Sequence, residues 1–122
     1  MNLREFRQWA VAQGSVANPA PNNSMKGQCV SLIQQYLYLV FGKPFAAHGN
    51  AIDWDRNFPK DYFTRLAASS KLQPGDVLVY GANFGGGFGH LGIIDDEGQF
   101  LDQNGDRRLA VGRRATPFTR TH

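Results

Sequence analysis

Apolar positions recur at helical spacing twice in the first third of the chain. Leu3, Phe6 and Trp9 or Ala10, running out to Gln13, predict a short amphipathic helix over residues 2–13. Residues 14–27 break the pattern with Pro19, Pro21, Asn22, Asn23, Ser24 and Gly27, so a loop is expected there. Cys29, Val30, Ile33, Tyr36, Leu37, Val40 and Phe41 then form a wide apolar stripe that Gly42 and Pro44 end. A stripe of that width predicts a helix packed inside the domain. Residues 45–57 read as irregular, and a short helix is expected after Pro59, running to about Ala68.

From Leu72 the pattern becomes β. Gln73-Pro74-Gly75-Asp76 reads as a turn, and Val77-Leu78-Val79-Tyr80 as a strand buried on both faces. A glycine-rich loop over 81–89 leads to strands at His90–Asp95 and Gln99–Gln103, with later strands near Leu109–Gly112 and Ala115–Thr119. Helices first and an antiparallel sheet after define an α+β fold. Asp95-Asp96-Glu97-Gly98 predicts a three-residue hairpin loop over 96–98 with Gly98 left-handed. That loop pairs Asp95 with Gln99 and, counting back, His90 with Asn104. Asp102 and Asn104 then share the face of His90, because side chains alternate along a strand. A two-residue loop would send both to the other face.

Composition narrows the class. With 122 residues, 42% of them hydrophobic and 12% aromatic, the chain suits one domain, 1–122, with a real core. No apolar run approaches the roughly 18 residues of a membrane span. The start, Met1-Asn2-Leu3-Arg4-Glu5, lacks the apolar core of a signal peptide, so synthesis in a cytoplasm without a leader at this end is expected. The net charge is +3, and Arg107, Arg108, Arg113, Arg114 and Arg120 crowd the last part of the chain. Such a segment suits an anionic partner, a wall polymer or nucleic acid, or else is a solvated basic edge strand.

The single cysteine excludes an internal disulfide and a cysteine zinc site. Alone it reads more often as a small buried hydrophobe. Its place at the start of a helix changes that, because unpaired amides and the helix dipole favour a thiolate, the form that attacks carbonyls. His90, at the mouth of a strand, is the candidate base, with His48 as the fallback. Asp102 or Asn104 would orient its far nitrogen. Gln28 and the Cys29 amide are candidate oxyanion donors, although Gln28 suits a helix cap equally well. Trp54, Phe84 and Phe88 are candidates for lining a substrate groove, against the commoner reading of aromatics as core.

Five segments in order then resemble a known family: Gly27-Gln28-Cys29-Val30, Gly49-Asn50-Ala51-Ile52-Asp53-Trp54, Leu72-Gln73-Pro74-Gly75-Asp76-Val77, Gly89-His90-Leu91-Gly92-Ile93-Ile94 and Leu101-Asp102-Gln103-Asn104-Gly105. Over residues 27–105 the chain resembles the CHAP domain, a cysteine- and histidine-dependent amidohydrolase/peptidase of bacteria and their phages. The resemblance implies a papain-like fold, cleavage of an amide bond in peptidoglycan, Cys29 as nucleophile and His90 as base. The family commonly has Glu where Asp102 stands, one methylene longer, while Asn104 matches the family's Asn. Some phage members carry an acidic calcium loop before the cysteine. Here Asn18–Lys26 holds no carboxylate, so no cofactor and no metal, calcium included, is expected.

The expected function is therefore a peptidoglycan hydrolase, an endopeptidase or an N-acetylmuramoyl-L-alanine amidase. It would be monomeric and would act on the bacterial cell wall as a phage endolysin does, with a wall-binding domain in a longer chain. Two alternatives come from other readings. One is a non-catalytic module that binds wall or nucleic acid through the arginine-rich segment. The other is an amidase acting on a small amide.

Overall fold

The first helix starts where its free amides find a cap. Asn2 Oδ1 accepts from the Glu5 N–H at 2.8 Å, and Glu5 Oε1 accepts from the Asn2 N–H at 2.9 Å. This reciprocal box opens α1 (Leu3–Gln13). The computed structural model describes residues 1–105 and 107–115. Helix α2 (Cys29–Phe41) ends at Gly42, whose φ of 73° lets its N–H reach Tyr38 O while Lys43 N–H reaches Leu37 O.

A short 3₁₀ turn (Ala51–Asp53) and the single-turn α3 (Trp54–Asn57) follow. Neither is expected from the sequence pattern. They form because Asp53 Oδ2 accepts from the Asn50 N–H at 2.9 Å and because Ala51 and Trp54 are buried. The helix expected after Pro59 is absent. The Tyr62 and Phe63 amides both turn back to Pro59 O, and the chain then runs irregularly. Residues 64–69 are exposed throughout, so a helix there would have no face to pack, and short helices do not hold without packing.

Among the described residues four antiparallel strands follow: β1 (Val77–Tyr80), β2 (His90–Ile94), β3 (Phe100–Gln103) and β4 (Val111–Arg114), in the order β1-β2-β3-β4. The chain thus has the expected α+β architecture, N-terminal helices packed on an antiparallel sheet. Leu91, Ile93 and Leu101 join Phe6, Ala10, Leu32, Ile33, Tyr36 and Leu37 in the main core. Leu78, Tyr80, Ile94 and Phe100 form a smaller cluster of their own. In β1 only Leu78 and Tyr80 are buried; Val77 and Val79 are half-buried, so the strand is less enclosed than its apolar run suggests.

The hairpin has the expected register. Asp95 N–H bonds Gln99 O at 2.8 Å, Gly98 sits at φ 77°, and Gly92 stands opposite Asp102. Gly92 is needed for space, because a Cβ there would run into the Phe100 ring. Strand β4 begins two residues later than expected. Leu109 lies at φ 56° in a turn, and Asn104 Oδ1 accepts its N–H at 3.1 Å, so pairing starts only at Val111. The strand expected at Ala115–Thr119 falls, beyond Ala115, outside the described residues. Among the described residues no helix is long and apolar enough to cross a membrane.

Candidate active site

Cys29 is the first residue of α2, half-buried at the mouth of a cleft of about 1210 Å³. Three bonds hold the loop before it. Gly27 N–H donates to Val16 O at 3.0 Å, Gln28 N–H to Met25 O at 3.1 Å, and Ser31 Oγ to Met25 O at 2.7 Å. The glycine-rich segment carrying Phe84 and Phe88 forms part of the wall, together with His48, Asn50, Asn104 and Arg107.

His90 opens β2 and is buried. Its Nε2 lies 2.7 Å from Asp102 Oδ2, and the Cys29 thiol is close enough to act on the ring as a hydrogen-bonding and charged neighbour. A thiol, an imidazole and a carboxylate therefore stand in line. Asp102 is diagonal to His90 across the β2–β3 ladder, as the three-residue loop requires. An Asp reaches the ring here despite being one methylene shorter than Glu.

Burial is the largest single influence on His90 and disfavours the imidazolium. Hydrogen bonds to Asp102 and Cys29 and the charge of both groups outweigh it and raise its pKa to about 9. The opposite holds for His48. Burial holds it below the ordinary histidine value, helped by Lys43 and only partly offset by its contact with Asn57. The His48 ring lies on Trp54, centroids 4.7 Å apart, and its Nε2 is buried without a hydrogen bond among the described residues.

Asp102 is 1% exposed, and a buried carboxylate needs a counter-charge. Arg114 of β4 supplies it, with Nη2 at 3.2 Å from both oxygens. A Cβ on Gly105 would collide with this carboxylate and guanidinium, so the glycine leaves room for the pair. Arg114 is not among the residues the sequence pattern singles out for the site. Nor is Gln103, fully buried one residue from Asp102. Its only sequence signal is an amide in the middle of a buried strand.

The remaining candidates separate. Gln28 lines the cleft beside Cys29, and its side chain caps nothing: α2 has no side-chain cap bond at its start. Asn104 also borders the cleft, but it has turned out of the strand at φ 63° and spends its Oδ1 on Leu109 N–H, so it does not hold His90. Phe84 and Phe88 line the cleft, and Phe88 is exposed. Trp54 does not line it. Its ring is 2% exposed, belongs to the core and borders a second, smaller cavity of about 320 Å³. A bulky ring at the start of a helical turn packed on the core gains more from burial than from solvent.

Among the described residues no group of three His, Cys, Asp or Glu side chains is placed to hold a metal ion. In the loop before Cys29, the Asn18, Asn22 and Ser24 side chains bond one another. No solved structure matches the chain at a significant level. A family model described as CHAP domain matches residues 20–104, well over half of the sequence. That span holds Cys29, His90 and Asp102, the three groups that stand in line, and the chain belongs to the CHAP domain family of cysteine- and histidine-dependent amidohydrolases and peptidases.

Proposed function

We propose that the chain hydrolyses an amide bond of bacterial peptidoglycan through a Cys29 acyl-enzyme. The observation that carries this reading is the line Cys29–His90–Asp102 opening on the cleft. His90 takes the thiol proton through Nδ1, and the thiolate adds to the scissile carbonyl. The tetrahedral oxyanion lies against the Cys29 N–H and the Gln28 side chain. Collapse expels the amine, which takes its proton from His90. Water, deprotonated by the same imidazole, then cleaves the thioester and returns free Cys29. Asp102 keeps Nε2 protonated and the ring in place, and Arg114 gives the buried Asp102 its counter-charge.

The cleft's size and open wall suit a polymer better than a small amide. Of the five arginines put forward for wall polymers, Arg113 and Arg114 are engaged inside the fold, on Asp95 and Glu97 and on Asp102. Arg107 and Arg108 are exposed, Arg107 at the cleft, and Arg120 lies outside the described residues. This favours an enzyme over a module whose business is its basic segment. The kit serves an endopeptidase and a muramoyl-alanine amidase equally. A phage endolysin, made in the host cytoplasm and joined to a wall-binding domain, is the setting we propose.

Cys29→Ala should abolish release of soluble fragments from purified peptidoglycan, and hydrolysis that survives it would sink the reading. Mass spectrometry of fragments from the unaltered protein assigns the bond: new glycine or D-alanine termini for an endopeptidase, free stem peptides for an amidase. We further propose that no calcium is required. Hydrolysis should persist within about twofold in excess chelator, because Asn18–Lys26 offers no carboxylate; loss restored by calcium would refute this.

A further inference from the structure

Gln103 is a polar side chain in the interior, with no exposure, and its three hydrogen bonds go to backbone far away in sequence. Its Oε1 accepts from Val16 N–H at 2.7 Å, and its Nε2 donates to Val16 O at 3.0 Å and to Gln28 O at 2.7 Å. The last bond is the informative one. Gln28 O and Cys29 N–H belong to one planar trans peptide and point in opposite directions, so fixing the carbonyl fixes the amide. Ser31 N–H also donates to that oxygen, at 3.1 Å, and it comes from α2 itself. Gln103 is thus the bond that ties this peptide plane to the sheet. The Cys29 N–H, in the first turn of α2, has no partner within the helix and is the backbone donor to the oxyanion in the mechanism proposed above.

We infer that Gln103 is a positioning residue that aims the Cys29 backbone amide at the developing oxyanion, working through the Gln28 carbonyl. The inference rests on the acyl-enzyme reading above and adds a role that sequence position does not suggest. Asp102 and Gln103 are consecutive in β3 and point to opposite faces, so one strand orients the base with one residue and the oxyanion donor with the next. Gln103 also grips Val16 by both N–H and C=O, and Val16 O holds Gly27 N–H in turn, so the segment before Cys29 moves as one body with β3.

The test compares two reactions of the same thiol. Peptide-bond hydrolysis develops an oxyanion; alkylation by iodoacetamide displaces iodide at carbon and develops none. Gln103→Met keeps the volume and removes all three bonds. Gln103→Glu keeps an acceptor for Val16 N–H but offers no donor to Gln28 O, and it stands in if the methionine variant fails to fold. Hydrolysis of purified peptidoglycan should fall on the order of 10²-fold, while Cys29 alkylation at the same pH stays within about threefold of wild type. Alkylation counts correctly folded sites at the same time. Equal loss of both reactions, or no loss of either, overturns the inference and leaves the Cys29 mechanism standing. Hydrolysis that survives Cys29→Ala overturns the mechanism and the inference together.

Discussion

The two ends of the β2–β3 hairpin use the same chemistry for different purposes. At the closed end, Asp95 is fully buried and Arg113 Nε donates to its Oδ2 at 2.8 Å. At the open end, Asp102 is nearly as buried and is met by Arg114, the next residue of β4. The difference lies in the remaining lone pairs. Asp95 Oδ1 accepts the Glu97 and Gln99 amides at 2.9 and 3.1 Å and so builds the turn. Asp102 faces no such turn. It gives Oδ2 to His90, which in turn meets Cys29. A buried aspartate clamped by arginine is therefore not in itself a sign of function. What it does is set by whether backbone amides or a titrating ring take its last oxygen.

Replacing each aspartate by its amide separates the two roles. Asp102→Asn should lower kcat on peptidoglycan by about 10²-fold or more, since an amide cannot compensate the imidazolium and can hold the wrong tautomer. An Asp102→Asn protein of undiminished kcat would remove the carboxylate from the mechanism. Asp95→Asn should cost about 1–3 kcal/mol of stability, read from denaturant midpoints, by weakening a charged bond at the turn. Its kcat per folded molecule should stay near wild type, and a large loss of activity would erase the distinction between the two ends.

The smallest effect is a shift along the pH axis. His90 titrates at about 9 in the fold against 6.5 unfolded, so the raised value favours the folded state. That stabilisation is complete below pH 6.5 and disappears as pH rises through about 9. Denaturant titrations at pH 6 and pH 9.5 should show it. In Asp102→Asn the alkaline loss should be smaller and finish at lower pH, because the hydrogen bond and charge that raise the histidine are weakened. In Asp95→Asn it should not move. Identical pH profiles for the two variants would place the cause elsewhere.

Most of the secondary structure was legible because neighbours within a few residues set it. The apolar stripe over Cys29–Phe41, the stop at Gly42 and the left-handed Gly98 needed no distant partner. The hairpin register followed from Gly98, and with it the diagonal of His90 and Asp102. The failures share a cause. The expected helix after Pro59 had local signals but no surface to cover, and the turn that did form at residues 51–57 depended on Trp54 reaching the core. Asn104 matched a family position, yet the backbone leaves the strand one residue before it would meet His90.

By itself, then, the sequence determined the family, the thiol at a helix start, and a histidine and aspartate on one face of one hairpin. Those are properties of periodicity and loop length, which act over a few residues. Only the tertiary structure decided which arginine neutralises Asp102, that Gln103 ties β3 to the peptide before Cys29, and which aromatics border the cleft. These contacts join residues as far as 87 positions apart. Their physical source is the burial of polar groups, each of which had to find a partner among whatever backbone and charge the folded chain brought within reach.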